Sequence, residues 1–263
     1  MLGKLLKYEM KETWRLMVIS YLAIITCALV SRLTLLIPGY AGGIIQTIFQ
    51  SLYGILFVAV PILLLVMIVK RFYDNLLGSQ GYLTMTLPVH PAEHIGAKLL
   101  AAIIWTIVTA VVVPISLIII VPDLMPHHFL TAAELSQMFG AVGRYHLALP
   151  VAECVLLVLF GLAASILMFY LVMAIGQLVN RHRGALSVFA YIGISVVLQI
   201  LSFVSIASSS EYLESSPFRA LSTAQAVQLA SAYLGVFLLI QVLLCALFFG
   251  LTTWLLGRHL NLE

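Results

Sequence analysis

Lys70-Arg-Phe-Tyr-Asp-Asn-Leu-Leu-Gly-Ser-Gln-Gly-Tyr-Leu-Thr-Met-Thr-Leu-Pro-Val-His-Pro-Ala-Glu-His-Ile-Gly-Ala-Lys98 is the only long polar interval in the chain bounded by basic residues at both ends. Apolar runs flank it, roughly 44–69 before and 99–121 after. A hydrocarbon layer about 30 Å thick is crossed by about 20 apolar residues in a helix, so the two runs read as membrane spans. The interval between them is then the loop that joins two spans, and the rest of the chain repeats that alternation.

Composition agrees. Of 263 residues, 63% are hydrophobic and 9% are charged, with a mean hydropathy of +1.14. A soluble domain carries about 25% charged residues. With so few charges the chain cannot cover a globular surface in water, so lipid is the solvent for most of it. Working outward from the loop, spans are expected at about 16–37, 44–69, 99–121, 151–179, 185–207 and 232–256. The fold class is an all-α polytopic membrane protein with six transmembrane helices, read as a single domain over 1–263. Pro61 and Pro114 fall inside spans two and three and suggest kinks. Cys27, Cys154 and Cys245 lie inside apolar runs and read as small membrane-embedded side chains.

The segment before the first span has its own pattern. Leu2, Leu5, Leu6, Met10, Trp14 and Met17 recur at helical spacing, while Lys4, Lys7, Lys11 and Arg15 take other positions. This predicts an N-terminal amphipathic helix lying in the headgroup layer, with Leu5, Leu6, Met10 and Trp14 on its apolar face. The plainer alternative is a basic flank that only sets orientation. The run from Leu16 to Ile37 is too long for a signal-peptide core and is read as a retained span. Between spans three and four, Thr131-Ala-Ala-Glu134 is a capping box, predicting a short helix over about 131–143. Between spans five and six, Ser208-x-x-Glu211 and Ser222-x-x-Gln225 are possible helix starts.

Six spans place both termini on one side, and the basic residues say which. Lys4, Lys7, Lys11, Arg15, Lys70, Arg71, Lys98, Arg181, Arg183 and Arg258 fall on the terminal side, against Arg32, Arg144 and Arg219 on the other. The positive-inside rule makes both termini and the loop of 70–98 cytoplasmic.

The sequence has little chemistry of its own. His90-Pro-Ala-Glu-His94 matches the H-x-x-E-H pattern of one zinc protease class, but Pro88 and Pro91 oppose a continuous helix across it, so it reads as a chance match. His127, His128 and His146, with Glu134, lack tight ligand spacing and read as solvated side chains. The only Gly-Lys pair, Gly3-Lys4, precedes leucine, so a phosphate-cradling P-loop is excluded. Neither a G-x-S-x-G motif nor a nucleic-acid signature is present. No metal site, cofactor or catalytic group is expected on this chain. Within the spans, Gln199 and Gln241 fall at similar depths, and Glu153 lies in the outer turn of span four. They are either interhelical hydrogen-bonding groups or the lining of a substrate path. No convincing midplane charge points to ion coupling.

The run Arg71-Phe-Tyr-Asp-Asn-Leu-Leu-Gly-Ser-Gln-Gly-Tyr-Leu-Thr-Met-Thr-Leu-Pro-Val89 resembles the loop of permease subunits of bacterial type-2 ATP-binding-cassette exporters. The opening Lys4-Leu-Leu-Lys-Tyr-Glu-Met-Lys-Glu-Thr-Trp-Arg15 and the closing Leu-Asn-Leu-Glu263 are similar to that family too. The resemblance implies a bacterial plasma-membrane protein that moves substrate using ATP hydrolysed elsewhere. It implies two permeases, identical or related, each docked on a cytoplasmic ATPase that holds ATP and Mg. Docking would use a short coupling helix between spans two and three, carried here by Leu76, Leu77, Gly78, Gln80, Gly81, Tyr82, Leu83, Thr84, Leu87 and Pro88. Gln80 stands where many members carry an acidic residue. The apolar content of the loop suits a docked surface, and Gly78 and Gly81 permit sharp turns. The rival readings are an ATP-independent transporter or channel, an intramembrane enzyme, and a non-transporting immunity or scaffold protein.

Overall fold

Backbone amides in hydrocarbon have no water to bond, so each apolar run closes its hydrogen bonds within itself as a helix. The computed structural model follows that rule and describes residues 2–36, 40–77, 90–121, 136, 140, 143, 147–178, 183–214 and 223–258. Helix α1 spans Leu2–Leu33 and runs on as a 3-10 turn, Thr34–Leu36; α2 spans Tyr40–Phe72 and runs on as a π-turn, Tyr73–Leu77. They are followed by α3 (Pro91–Ile120), α4 (Ala148–Gly176), α5 (Arg183–Glu214) and α6 (Thr223–Arg258). All six are long and apolar enough to cross a membrane. Their outward faces carry Ile19, Ile55, Ile62, Phe189, Phe203 and Leu239, each more than half exposed. In water such faces would aggregate, whereas in a bilayer they are solvated.

The helices overrun the expected spans. At α1, no glycine or proline falls between Lys4 and Leu33, and the helix runs through residue 17 without a break. Thr13, Met17, Tyr21, Ile24, Ala28 and Ser31 form one buried stripe at spacings of three and four. Leu5, Leu6 and Met10 are half-buried, and Trp14 is exposed. Residues 2–17 are therefore the first turns of α1. Likewise α5 continues through Ser208-x-x-Glu211, which does not start a helix; α6 is described from Thr223, and Ser222 lies outside the described residues. Helices α2 and α3 run through Pro61 and Pro114. Of the helix expected over 131–143, only the helical residues 136, 140 and 143 are described.

Contacts divide the chain into two compact units, 1–129 and 130–263. In the first unit α1 packs against both α2 and α3. The pairs Thr13–Trp105 and Tyr21–Thr109 advance together along both helices, so α1 and α3 run parallel. Arg71 at the end of α2 meets Glu9 near the start of α1, so α2 runs antiparallel to them. The core is Met17, Tyr21, Ile24, Cys27 and Ala28 of α1, Tyr53, Val60, Leu64 and Met67 of α2, and Trp105 of α3.

The second unit repeats the scheme. Helix α4 packs against α5 and α6. Glu153 lies beside Gly235, and Gln241 beside Gly161, so α4 and α6 are parallel. The rings of Phe169 and Tyr191 stack with centroids 5.4 Å apart at the α4–α5 contact.

Candidate functional site

Lys98 sits two turns into α3 with its side chain only 5% exposed. An ammonium removed from water costs several kcal/mol unless an anion meets it, and Glu9 of α1 does. Glu9 Oε1 accepts a hydrogen bond from Lys98 Nζ at 2.6 Å, and Oε2 accepts one from Arg71 Nε at 3.1 Å. Arg71 also donates through Nη2 to Glu12, so two carboxylates on one face of α1 meet the guanidinium fork. One carboxylate thereby holds cations from both ends of the polar loop.

A polar ladder continues from this clasp along α1 and α3. Thr13 Oγ1 donates back to the Glu9 carbonyl at 2.9 Å and accepts from Trp105 Nε1 at 2.8 Å. The Tyr21 hydroxyl is 2.6 Å from Thr109 Oγ1 and donates to the Trp105 carbonyl at 3.3 Å. Between α2 and α3, the Tyr53 hydroxyl lies 3.1 Å from Ser116 Oγ. Near the start of α3, Glu93 Oε2 and His94 Nε2 are buried and have no hydrogen-bond partner among the described residues. Sequence reasoning missed Glu9 and Glu12, because it gave the polar positions of 2–17 to the headgroup layer. The available signal was Glu9 lying one turn before Thr13 and two before Met17, an acid inside the apolar stripe.

The predicted docking residues divide. Leu76 and Leu77 lie in the π-turn at 0% and 5% exposure. Both side chains are buried. Gly78, Gln80, Gly81, Tyr82, Leu83, Thr84, Leu87 and Pro88 lie outside the described residues. The H-x-x-E-H match is split as expected. His90 is the N-cap of α3 in an extended conformation (φ −61°, ψ 139°) with Pro91 at the first helical position, whereas His94 is inside the helix. Among the described residues no group of three His, Cys, Asp or Glu is placed to hold a metal ion. His127, His128, Glu134 and His146 lie outside them.

In the second unit, Gln241 lines a cavity of about 290 Å³ bounded by Ser165 and Met168 of α4, Leu198 and Ser202 of α5, and Phe248 of α6. Gln199 does not line it and is exposed, so the two glutamines are not brought together. Equal depth in two helices fixes height but not which face each side chain takes. Where α4 and α6 run side by side, a methyl group on Gly161 would lie 3.7 Å from Gln241 Nε2, and one on Gly235 would lie 3.7 Å from Glu153 Oε1. Each polar side chain thus lies over a glycine of the facing helix. Glu153 Oε2 is buried without a partner among the described residues.

Comparison with known proteins gives no match: no family model, no curated protein and no solved structure is similar to this chain.

Proposed function

We propose that this chain is the membrane-spanning permease subunit of an ATP-driven exporter of the type-2 ATP-binding-cassette class, in a bacterial plasma membrane. The observation that carries the reading is the Arg71–Val89 run, set between two membrane-length helices and resembling the loop of that family. ATP and Mg belong to a separate cytoplasmic ATPase, and a second permease, identical or related, completes the transporter. The ten Lys and Arg residues on the terminal side turn both termini and this loop toward the cytoplasm. Docking falls to Gly78, Gln80, Gly81, Tyr82, Leu83, Thr84, Leu87 and Pro88. The clasp suits such a role: Glu9 joins Arg71 and Lys98 to α1, so a force on the loop reaches α1, α2 and α3 together. The cavity beside Gln241 is the candidate substrate contact.

The test is expression of the chain in its host, co-purification of any P-loop ATPase with it, and ATP turnover of that ATPase with and without the permease. The expected result is a stable complex whose turnover depends on both subunits, with Tyr82→Asp abolishing association while membrane insertion is retained. ATP-independent flux by the purified chain alone in liposomes would overturn the proposal. It would favour the second reading, a transporter coupled to protons, whose one support is the buried, unpartnered Oε2 of Glu153.

A further inference from the structure

Beside the clasp, α1 and α2 diverge to leave a groove of about 520 Å³. Its floor is apolar, formed by Leu16 of α1 with Leu63, Val66 and Met67 of α2, and its rim is polar, formed by Glu12, Lys70, Arg71, Asp74 and Asn75. The two halves are sorted by height. From Leu63 to Lys70 is seven residues, about 10 Å along a helix, so the apolar floor reaches about two thirds of the way through one leaflet's hydrocarbon. The polar rim lies where headgroups lie, at the end of the apolar run. The volume is within the range of small-molecule sites, about 300–1,000 Å³.

Charge at the rim narrows the occupant. Arg71 is committed to Glu9 and Glu12. Lys70 and Asp74 face the same groove with opposite charges, and neither makes an ion pair among the described residues. They are four positions apart in sequence, Lys70 in the last turn of α2 and Asp74 in the π-turn that continues it, and both line the groove. Phosphoethanolamine presents the complementary pair, a phosphate and a primary ammonium separated by two methylenes. The phosphate accepts from Lys70, and the ammonium's three donors reach Asp74 and the Asn75 amide oxygen. A quaternary choline offers no donor, and a glycerol headgroup leaves Asp74 without a cation.

We propose that this groove is a binding site for one phospholipid with a phosphoethanolamine headgroup, its first acyl carbons lying against Leu16, Leu63, Val66 and Met67. The site does not depend on how the protein functions. The full chain, delipidated in detergent, is titrated with phosphatidylethanolamine, phosphatidylcholine and phosphatidylglycerol of identical acyl chains and read by native mass spectrometry. Phosphatidylethanolamine binds one per chain, about tenfold more tightly than the other two, the scale of one charge-assisted hydrogen bond. Lys70→Gln and Asp74→Asn, both at exposed positions, each erase that preference. Val66→Trp, also exposed, fills the floor and lowers binding of all three lipids. Glycerophosphoethanolamine, which has the headgroup without chains, does not compete at equal concentration. Equal binding of the three lipids by the unmodified chain overturns the proposal, as does a preference that survives both charge substitutions. Full competition by the chainless headgroup would make this a polar-solute site and overturn it too.

Discussion

The two units share a helix scheme and differ in what holds it. In both, the first helix is central, the third runs parallel to it and the second antiparallel. The first unit joins its parallel pair with polar bonds: Glu9 to Lys98, Thr13 to Trp105, and Tyr21 to Thr109. The second joins α4 and α6 through Gly161 and Gly235, with Ala163, Ala164 and Ala174 of α4 buried nearby in sequence. Among its described residues there is no ion pair. Lipid tails are as apolar as leucine, so water does not drive helices together within a bilayer. Association there rests on close packing or interhelical hydrogen bonds; the polar bonds are concentrated in the first unit, and α4 and α6 of the second rest mainly on close approach, with Cys245 Sγ donating to the Phe160 carbonyl at 3.3 Å.

That contrast can be broken at its strongest point. Glu9→Gln leaves Lys98 buried without an anion and should destabilise the first unit by about 3 kcal/mol or more, read as a lower thermal transition in detergent. The double variant Glu9→Leu with Lys98→Met removes both charges and should recover most of the loss, because an apolar pair carries no desolvation cost. A Glu9→Gln protein that melts like the parent would show that the clasp does not hold the unit. In the second unit the sensitive quantity is helix separation. Gly161→Leu should cost about 2 kcal/mol through overpacking against α6. Gly161→Ala, whose methyl would meet Gln241 Nε2 at an ordinary 3.7 Å, should be neutral or slightly stabilising. An equal loss for both would mean that the glycine serves something other than spacing. The smallest loss is that of Tyr53→Phe, about 1 kcal/mol. Ser116 retains its 2.7 Å bond to the Val113 carbonyl, so no buried hydroxyl is orphaned.

Six helices and their order were legible because an apolar run of bilayer length reports itself without partners. Helix ends were less so. Hydropathy marks where hydrocarbon begins, but a helix continues until the backbone is interrupted, and between Lys4 and Leu33 nothing interrupts it. The break at His90 was legible because Pro91 is a local cause. The clasp was not, since Glu9, Arg71 and Lys98 are neighbours only after three helices assemble. Gln199 and Gln241 failed for a related reason: depth can be counted along a helix, whereas the face turned toward a neighbour depends on packing.

The reach of Glu9 has a consequence for how the chain is made. Its two partners lie 62 and 89 residues further along. The ribosome therefore releases α1 long before either cation exists: the carboxylate waits through α2 for Arg71, and through the loop as well for Lys98. Closure of the first unit is thus timed by the emergence of Lys98. Truncations ending before that residue should leave α1 packed on α2 alone, with its α3-facing stripe open to membrane quality-control proteases.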